Sequence, residues 1–189
     1  MIIGLTGGSG TGKSTIVNFF LERGFIVLDF DKISRDICQV GMPCLNELSD
    51  NFGKEILNID GSLNRKYLGN IVFSDKTKLE LLNKITHKYI IKEMYRFLDT
   101  HKGKKIIFDA PLLFESKIDE LCDYTIAVLA EKSIRIKRII NRDNISQEQA
   151  INRINSQPPD SFYKEKANII INNNESIDDL YITLKRIIE

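Results

Sequence analysis

The stretch Gly7-Gly8-Ser9-Gly10-Thr11-Gly12-Lys13-Ser14-Thr15 constrains this chain more than any other. It reads G-x-x-x-x-G-K-S, follows the apolar run Ile2-Ile3-Gly4-Leu5-Thr6, and precedes a helical pattern with Ile16, Val17, Phe20 and Leu21 on one face. Strand, glycine-rich turn and helix, in that order, turn a string match into a phosphate-binding loop. Glycine admits the positive φ angles that bring backbone N–H groups close to phosphate oxygens. A helix starting near Lys13 aims its unpaired N–H groups and the positive end of its dipole at the same anion. Lys13 adds a mobile cation for β- and γ-phosphates, and the Ser14 hydroxyl is a ligand for Mg²⁺. The expectation is a nucleoside triphosphate site built from Gly8, Ser9, Gly10, Thr11, Gly12, Lys13, Ser14 and Thr15.

A chain of 189 residues fits one domain, residues 1–189, large enough to bury about 70% of its unfolded surface. The net charge of +1, from 27 basic and 26 acidic side chains, argues against bulk nucleic-acid binding, which needs a basic surplus. Cys38, Cys44 and Cys122 are an odd number at no metal-ligand spacing, so reduced, mostly buried thiols are expected. The N-terminal run has no basic leader and breaks at Gly4 and Gly7, unlike a signal peptide. No apolar stretch approaches the roughly 20 residues that span a bilayer. These features point to a cytoplasmic protein with no membrane partner.

Short apolar runs alternate with helical patterns, the signature of βαβ units and a parallel sheet. Phe25-Ile26-Val27-Leu28-Asp29 reads as a second strand. Asp31 follows at a helix N-cap position, with Arg35 four residues on and on the same face. From about 41 to 102 the alternation stops. That stretch holds the turn Asn58-Ile59-Asp60-Gly61 and a long helical pattern with Leu79, Leu82, Ile85 and Tyr89, a helical insertion beside the sheet. Strands resume at Lys105-Ile106-Ile107-Phe108-Asp109 and Tyr124-Thr125-Ile126-Ala127-Val128-Leu129, with a fifth at Asn168-Ile169-Ile170-Ile171-Asn172. Between the last two, a helix over about 131–143 carries Ile136, Ile139 and Ile140 on one face and Arg135, Arg138 and Arg142 on a neighbouring one. Ser146 and Gln149 form a capping box for the next helix, which stops before Pro158-Pro159. Ser176 caps a final helix with Ile177, Leu180, Leu184 and Ile188.

In an open parallel sheet, ligands sit outside the carboxyl ends of the strands. The phosphate loop, Asp29/Asp31 and Asp109/Pro111 all fall at such ends. Phosphoryl transfer needs bound Mg²⁺, cations around the γ-phosphoryl group and a group that takes the acceptor's proton. Asp31 suits the last role, Asp109 joins Ser14 as a candidate for holding the metal, and the arginine stripe with Arg153 is a candidate lid.

Together these residues resemble the dephospho-CoA kinase family. The resemblance runs from Gly4-Leu5-Thr6-Gly7-Gly8 into Gly10-Thr11-Gly12-Lys13-Ser14-Thr15, then Asp29-Phe30-Asp31 with Arg35. It continues through Leu82-Asn83, Thr86-His87, Asp109-Ala110-Pro111-Leu112-Leu113-Phe114-Glu115, Arg138, Arg142-Asp143, Arg153 with Gln157, and Ile171-Asn172-Asn173. It implies a P-loop kinase-like α/β fold, a five-stranded parallel sheet flanked by helices. The core would be about 1–32, 103–141 and 168–189, with a helical acceptor-binding insertion at about 33–102 and a lid at about 142–167. The implied reaction moves the γ-phosphate of ATP to the 3′-hydroxyl of dephospho-CoA, with Mg²⁺, giving CoA and ADP. By the same resemblance Asp31 is the base, and Lys13, Arg138 and Arg142 are catalytic. Arg138, Arg142 and Asn173 join the loop in binding ATP. Thr6, Asp31, Arg35, His87, Pro111, Leu112 and Leu113 contact the acceptor. ATP and dephospho-CoA are the expected partners of a monomer or weak homo-oligomer.

The chain departs from the family pattern at four places. Ser9 stands where an aliphatic residue is usual, Lys88 where proline follows the histidine, Tyr163 where lysine is common, and Asn168 where aspartate precedes the last strand. Three other readings compete: a P-loop kinase for a nucleoside or nucleoside monophosphate, a non-catalytic nucleotide-binding regulator, and a GTP-dependent switch. The switch is disfavoured because Asn83-Lys84-Ile85-Thr86 lacks the aspartate of a guanine-reading N-K-x-D.

Overall fold

The computed structural model describes residues 1–188, with the side chain of Ile188 outside the described residues. Five strands form one parallel sheet in the order β2-β3-β1-β4-β5: β1 (Ile2–Thr6), β2 (Ile26–Asp29), β3 (Ile106–Asp109), β4 (Tyr124–Leu129) and β5 (Ile169–Asn172). The near-continuous apolar runs suit strands covered on both faces by helices. β1 lies between β3 and β4, and the register pairs Leu5 with Asp109 and Thr6 with Ala127. The acid ending β3 is thereby set beside the residues that lead into the glycine-rich loop.

The described residues separate into two compact units, Met1–Leu28 with Gly103–Glu189, and Asp29–Lys102. The first unit carries the sheet with α1 (Lys13–Leu21), α6 (Lys132–Asp143), α7 (Gln147–Asn155), α8 (Asp160–Lys166) and α9 (Ile177–Ile188). Its core joins Ile3, Leu5, Ile107, Ile126 and Val128 of the sheet to Ile16, Phe19 and Phe20 of α1 and Leu180 and Leu184 of α9. Two expected core positions differ. Leu21 is exposed and Phe19 is buried in its place, because Ile16, Phe19 and Phe20 form the i, i+3, i+4 stripe and Phe19 meets Tyr181 at 5.2 Å between ring centroids. Ile177 is also exposed; it lines the pocket described below.

The second unit holds α2 (Phe30–Asp36), α3 (Pro43–Phe52), α4 (Arg65–Phe73) and α5 (Lys76–Thr100) around its own core of Ile37, Cys38, Cys44, Leu48, Ile56, Leu68, Val72 and Ile85. Beyond Asp29, the last residue of β2, the only β pairing among its described residues is an isolated bridge between Leu57 and Leu63, so the stretch from about 41 to 102 is helical as expected. The N-cap of α2 is Asp29, which accepts from the Lys32 N–H at 2.8 Å. The expected cap, Asp31, sits instead in the first turn, since the helix begins directly where the strand ends. No described helix is long and apolar enough to cross a membrane.

Candidate active site

The loop between β1 and α1 is held from outside by side chains. Arg135 donates through Nε to the Ser9 carbonyl at 2.9 Å. Arg138 donates through Nη1 to the carbonyls of Gly10 and Thr11, each at 3.4 Å. The Asn173 side-chain amide donates to Thr11 O at 2.8 Å. A trans peptide holds its C=O and the following N–H antiparallel. Drawing the Ser9 and Thr11 carbonyls toward α6 and the segment after β5 therefore turns the N–H groups of Gly10 and Gly12 to the opposite side. A carbonyl oxygen aimed at a phosphate would repel it, so these three side chains convert a flexible loop into an anion-binding nest.

Glycine is required here for space as well as for φ. Gly10 and Gly12 have φ of 78° and 92°. A Cβ on Gly10 would lie 2.7 Å from the Arg135 carbonyl oxygen, and one on Gly12 would strike the Asn173 amide nitrogen. Gly12 caps α1 with no side-chain bond, and no acid occupies the first turn of that helix. The partial positive charge of the helix N-terminus is thus uncompensated by the chain's own side chains. Lys13, one residue on, pairs with Asp109. Thr6, fully buried, donates through Oγ1 to the Pro111 carbonyl at 3.2 Å and so anchors the turn after β3.

Asn173 follows β5 directly, and its N–H bonds to Leu129 O at 2.8 Å, extending the β4–β5 ladder. Arg138 also donates to the Asn173 carbonyl, at 3.1 Å. Gly12, Ser14, Thr15, Arg138, Arg142 and Asn173 line a pocket of about 270 Å³. Ile177, Leu180 and Glu175 line it as well, so an apolar surface adjoins both cations and an acid. Arg142 reaches Asp143 with two bonds, Nε to Oδ1 at 2.7 Å and Nη2 to Oδ2 at 2.9 Å. Asp143 also pairs with Arg153 of α7. The hydrogen bonds from Arg142 hold the Asp143 carboxyl down at about 2.

The structure thus brings Gly8 to Thr15, Asp109, Arg138, Arg142 and Asn173 together within the first unit. Pro111 is half-buried, Leu112 exposed and Leu113 fully buried, where its side chain would meet a Cβ on Gly4 at 2.8 Å. In the second unit, Asp31 and Arg35 are exposed on α2 and His87 is exposed on α5. The stripe expected to act as a lid includes one residue with a different task. Arg135 is only 6% exposed and its burial lowers its pKa, opposed by Asp160 at 3.7 Å. No local periodicity marks that residue; its partners Ser9, Gln157 and Asp160 are distant in sequence. Asn168, which stands where the family pattern has aspartate, accepts through Oδ1 from the N–H and hydroxyl of Thr125 at 2.7 and 3.0 Å.

The family model described as Dephospho-CoA kinase matches residues 1–179. A dephospho-CoA kinase of Fusobacterium nucleatum is 42% identical over 189 residues, covering 100% of this chain and 97% of the relative. Among solved structures, a Thermus thermophilus protein superimposes with a TM-score of 0.86 at 28% identity, covering 100% of this chain and 96% of that one. The dephospho-CoA kinase of Campylobacter jejuni does so with a TM-score of 0.69 at 30% identity, covering 99% and 94%.

Proposed function

The chain belongs to the dephospho-CoA kinase family, and from that premise we propose how its residues carry the reaction. It phosphorylates the 3′-hydroxyl of dephospho-CoA with ATP, giving CoA and ADP. The observation that carries the reading is the loop whose carbonyls are drawn outward by Arg135, Arg138 and Asn173. It leaves N–H groups, an uncapped helix end and Lys13 to receive a triphosphate.

In this reading Gly8 to Thr15 cradle the phosphates, and Lys13 bears on the β- and γ-oxygens. Arg138 and Arg142 neutralise the charge that spreads over the transferring phosphoryl group. Asn173 and the apolar Ile177–Leu180 wall take the nucleoside end. The segment of about 142–167 serves as a lid beside a core of about 1–32, 103–141 and 168–189. Asp31, just ahead of the insertion of about 33–102, takes the proton of the acceptor hydroxyl, with Arg35 and His87 of the insertion as acceptor contacts. Thr6, Pro111, Leu112 and Leu113 complete the acceptor side.

Mg²⁺ fits the donor set. Ser14 and Asp109 offer the hard oxygen donors that Mg²⁺ takes. When bound, the ion would be held by Ser14 and Asp109 and would supply neutralisation of phosphate charge. ATP and dephospho-CoA are the partners of a cytoplasmic monomer or weak homo-oligomer in this reading. The test is ADP release from Mg-ATP with and without dephospho-CoA, for the natural protein and for Asp31→Asn. Turnover that needs dephospho-CoA and falls ~10²–10⁴-fold in the variant supports the assignment. Equal turnover by the variant refutes Asp31 as the base.

A further inference from the structure

Gln157 lies two residues beyond α7 and uses both ends of its amide on the phosphate loop. Its Oε1 accepts from the Ser9 N–H at 2.9 Å and from Arg135 Nη2 at 2.9 Å. Its Nε2 donates to Ser9 Oγ at 3.1 Å. With the bond from Arg135 to the Ser9 carbonyl, Ser9 is held at its N–H, its C=O and its hydroxyl. The double proline that follows, Pro158-Pro159, restricts Gln157 to extended backbone and stiffens the presentation of its side chain. The third bond exists only because this chain has a serine where the family pattern is aliphatic. Even the space is shaped for the contact: a Cβ on Gly8 would strike Arg135 Nη2 and lie 2.9 Å from Gln157 Oε1.

We propose that Gln157 is a positioning residue that fixes the phosphate loop at Ser9 and ties it to the α7 segment, so that ATP affinity depends on where that segment sits. The chemistry selects an amide. Ser9 N–H and Arg135 need an acceptor, and a neutral one, because a carboxylate at this point would stand beside the loop that must receive a polyanion. The same end of α7 is tied a second time, through Arg153 of its last turn and Asp143 to Arg142. Movement of this helix therefore acts on both the loop and an arginine of the pocket.

The inference rests on reading Gly8 to Thr15 as the ATP site. Its test compares steady-state kinetics and loop hydrogen exchange for Gln157→Ala, Gln157→Glu, Ser9→Ala and the Ser9→Ala/Gln157→Ala pair. Losing these three hydrogen bonds should raise KM for ATP about 10-fold in Gln157→Ala, with kcat and the acceptor KM nearly unchanged. Ser9→Ala, which removes one bond and threatens no fold, should raise it about 3-fold, and adding it to Gln157→Ala should do nothing more. Gln157→Glu keeps both acceptor bonds and tests the need for a neutral acceptor: an intact Tm with a raised KM for ATP is expected from the added charge beside the loop. A KM for ATP within 2-fold of the natural protein in Gln157→Ala, or additive effects in the pair, would overturn the proposal. A natural protein that binds no ATP would instead remove the reading of the loop. The brace would then stand or fall on faster exchange of the loop amides in Gln157→Ala.

Discussion

Lys13, at the start of α1, forms an ion pair with Asp109, at the end of β3, across a sequence separation of 96 residues. In the proposed reaction the two groups have different jobs, Lys13 as a cation for the phosphates and Asp109 as an oxygen donor toward the metal. Each keeps the other's side chain in place at the mouth of the loop. Lys13→Ala is expected to lower kcat ~10²–10³-fold, the usual cost of removing one transition-state cation or donor. Asp109→Asn should act differently, raising the Mg²⁺ concentration at half-maximal rate ~10–100-fold while ATP binding in the absence of metal changes little. Titrating the rate with Mg²⁺ in both variants separates the roles. An Asp109→Asn protein with unchanged Mg²⁺ dependence would remove Asp109 from the metal's surroundings.

Gly12 and Asn173 occupy one another's space. Gly12→Ala forces a φ of 92° on alanine and drives its Cβ into the Asn173 amide, two independent penalties of roughly 1–2 kcal/mol for the backbone alone. ATP binding, followed by calorimetry, should fall below detection. Asn173→Ala is milder: it leaves the Thr11 carbonyl with only the longer bond from Arg138, a loss of about 0.5–1.5 kcal/mol. It should therefore weaken ATP binding ~10-fold without abolishing it.

The strands were legible in the sequence wherever apolar runs are unbroken, Tyr124–Leu129 being the clearest, and the loop was legible because glycine spacing carries its geometry. The capping box of α7 is present as read, with Ser146 and Gln149 bonded reciprocally. What local patterns cannot show is which of several similar side chains a distant element selects. Arg135, Arg138 and Arg142 look alike on one helix, yet Arg135 is buried by Ser9, Gln157 and Asp160, while Arg142 stays exposed beside Asp143. Asp29 took the cap expected of Asp31 for a similar reason. The turn from β2 into α2 has no spare residue, so the last strand residue is also the first helix cap.

Arg135 should not tolerate lysine. Its guanidinium spreads three contacts over Ser9 O, Gln157 Oε1 and the Asp160 carboxylate, and a lysine ammonium on a flexible stem cannot reproduce that fork. Among the described residues every buried side-chain nitrogen and oxygen has a partner, so losing the fork strands groups that are now satisfied. Arg135→Lys is expected to cost at least ~2 kcal/mol in urea denaturation, given that bonds to charged groups contribute about 1.5–3 kcal/mol each. It should also raise KM for ATP through the freed Ser9 carbonyl. Equal stability of the two proteins would show that this charge is solvated in solution.

Asp143 gives the acid limb of stability a specific origin. The hydrogen bonds from Arg142, then those from Arg153, hold its carboxyl at about 2, against about 3.9 in an unfolded chain. A carboxyl depressed on folding stabilises the native state above its unfolded pKa, and that contribution disappears as pH falls through the folded value. The window is therefore about pH 4 down to about pH 2. Thermal melts across that acid range should show the natural protein losing Tm faster than Asp143→Asn, with the two curves converging near pH 2. At neutral pH the variant should release Arg142 and Arg153 together, weakening ATP binding several-fold at low salt and less at high salt, where exposed charges are screened. Parallel melting curves from pH 4 to 2 would mean that the arginines do not hold this carboxylate in solution.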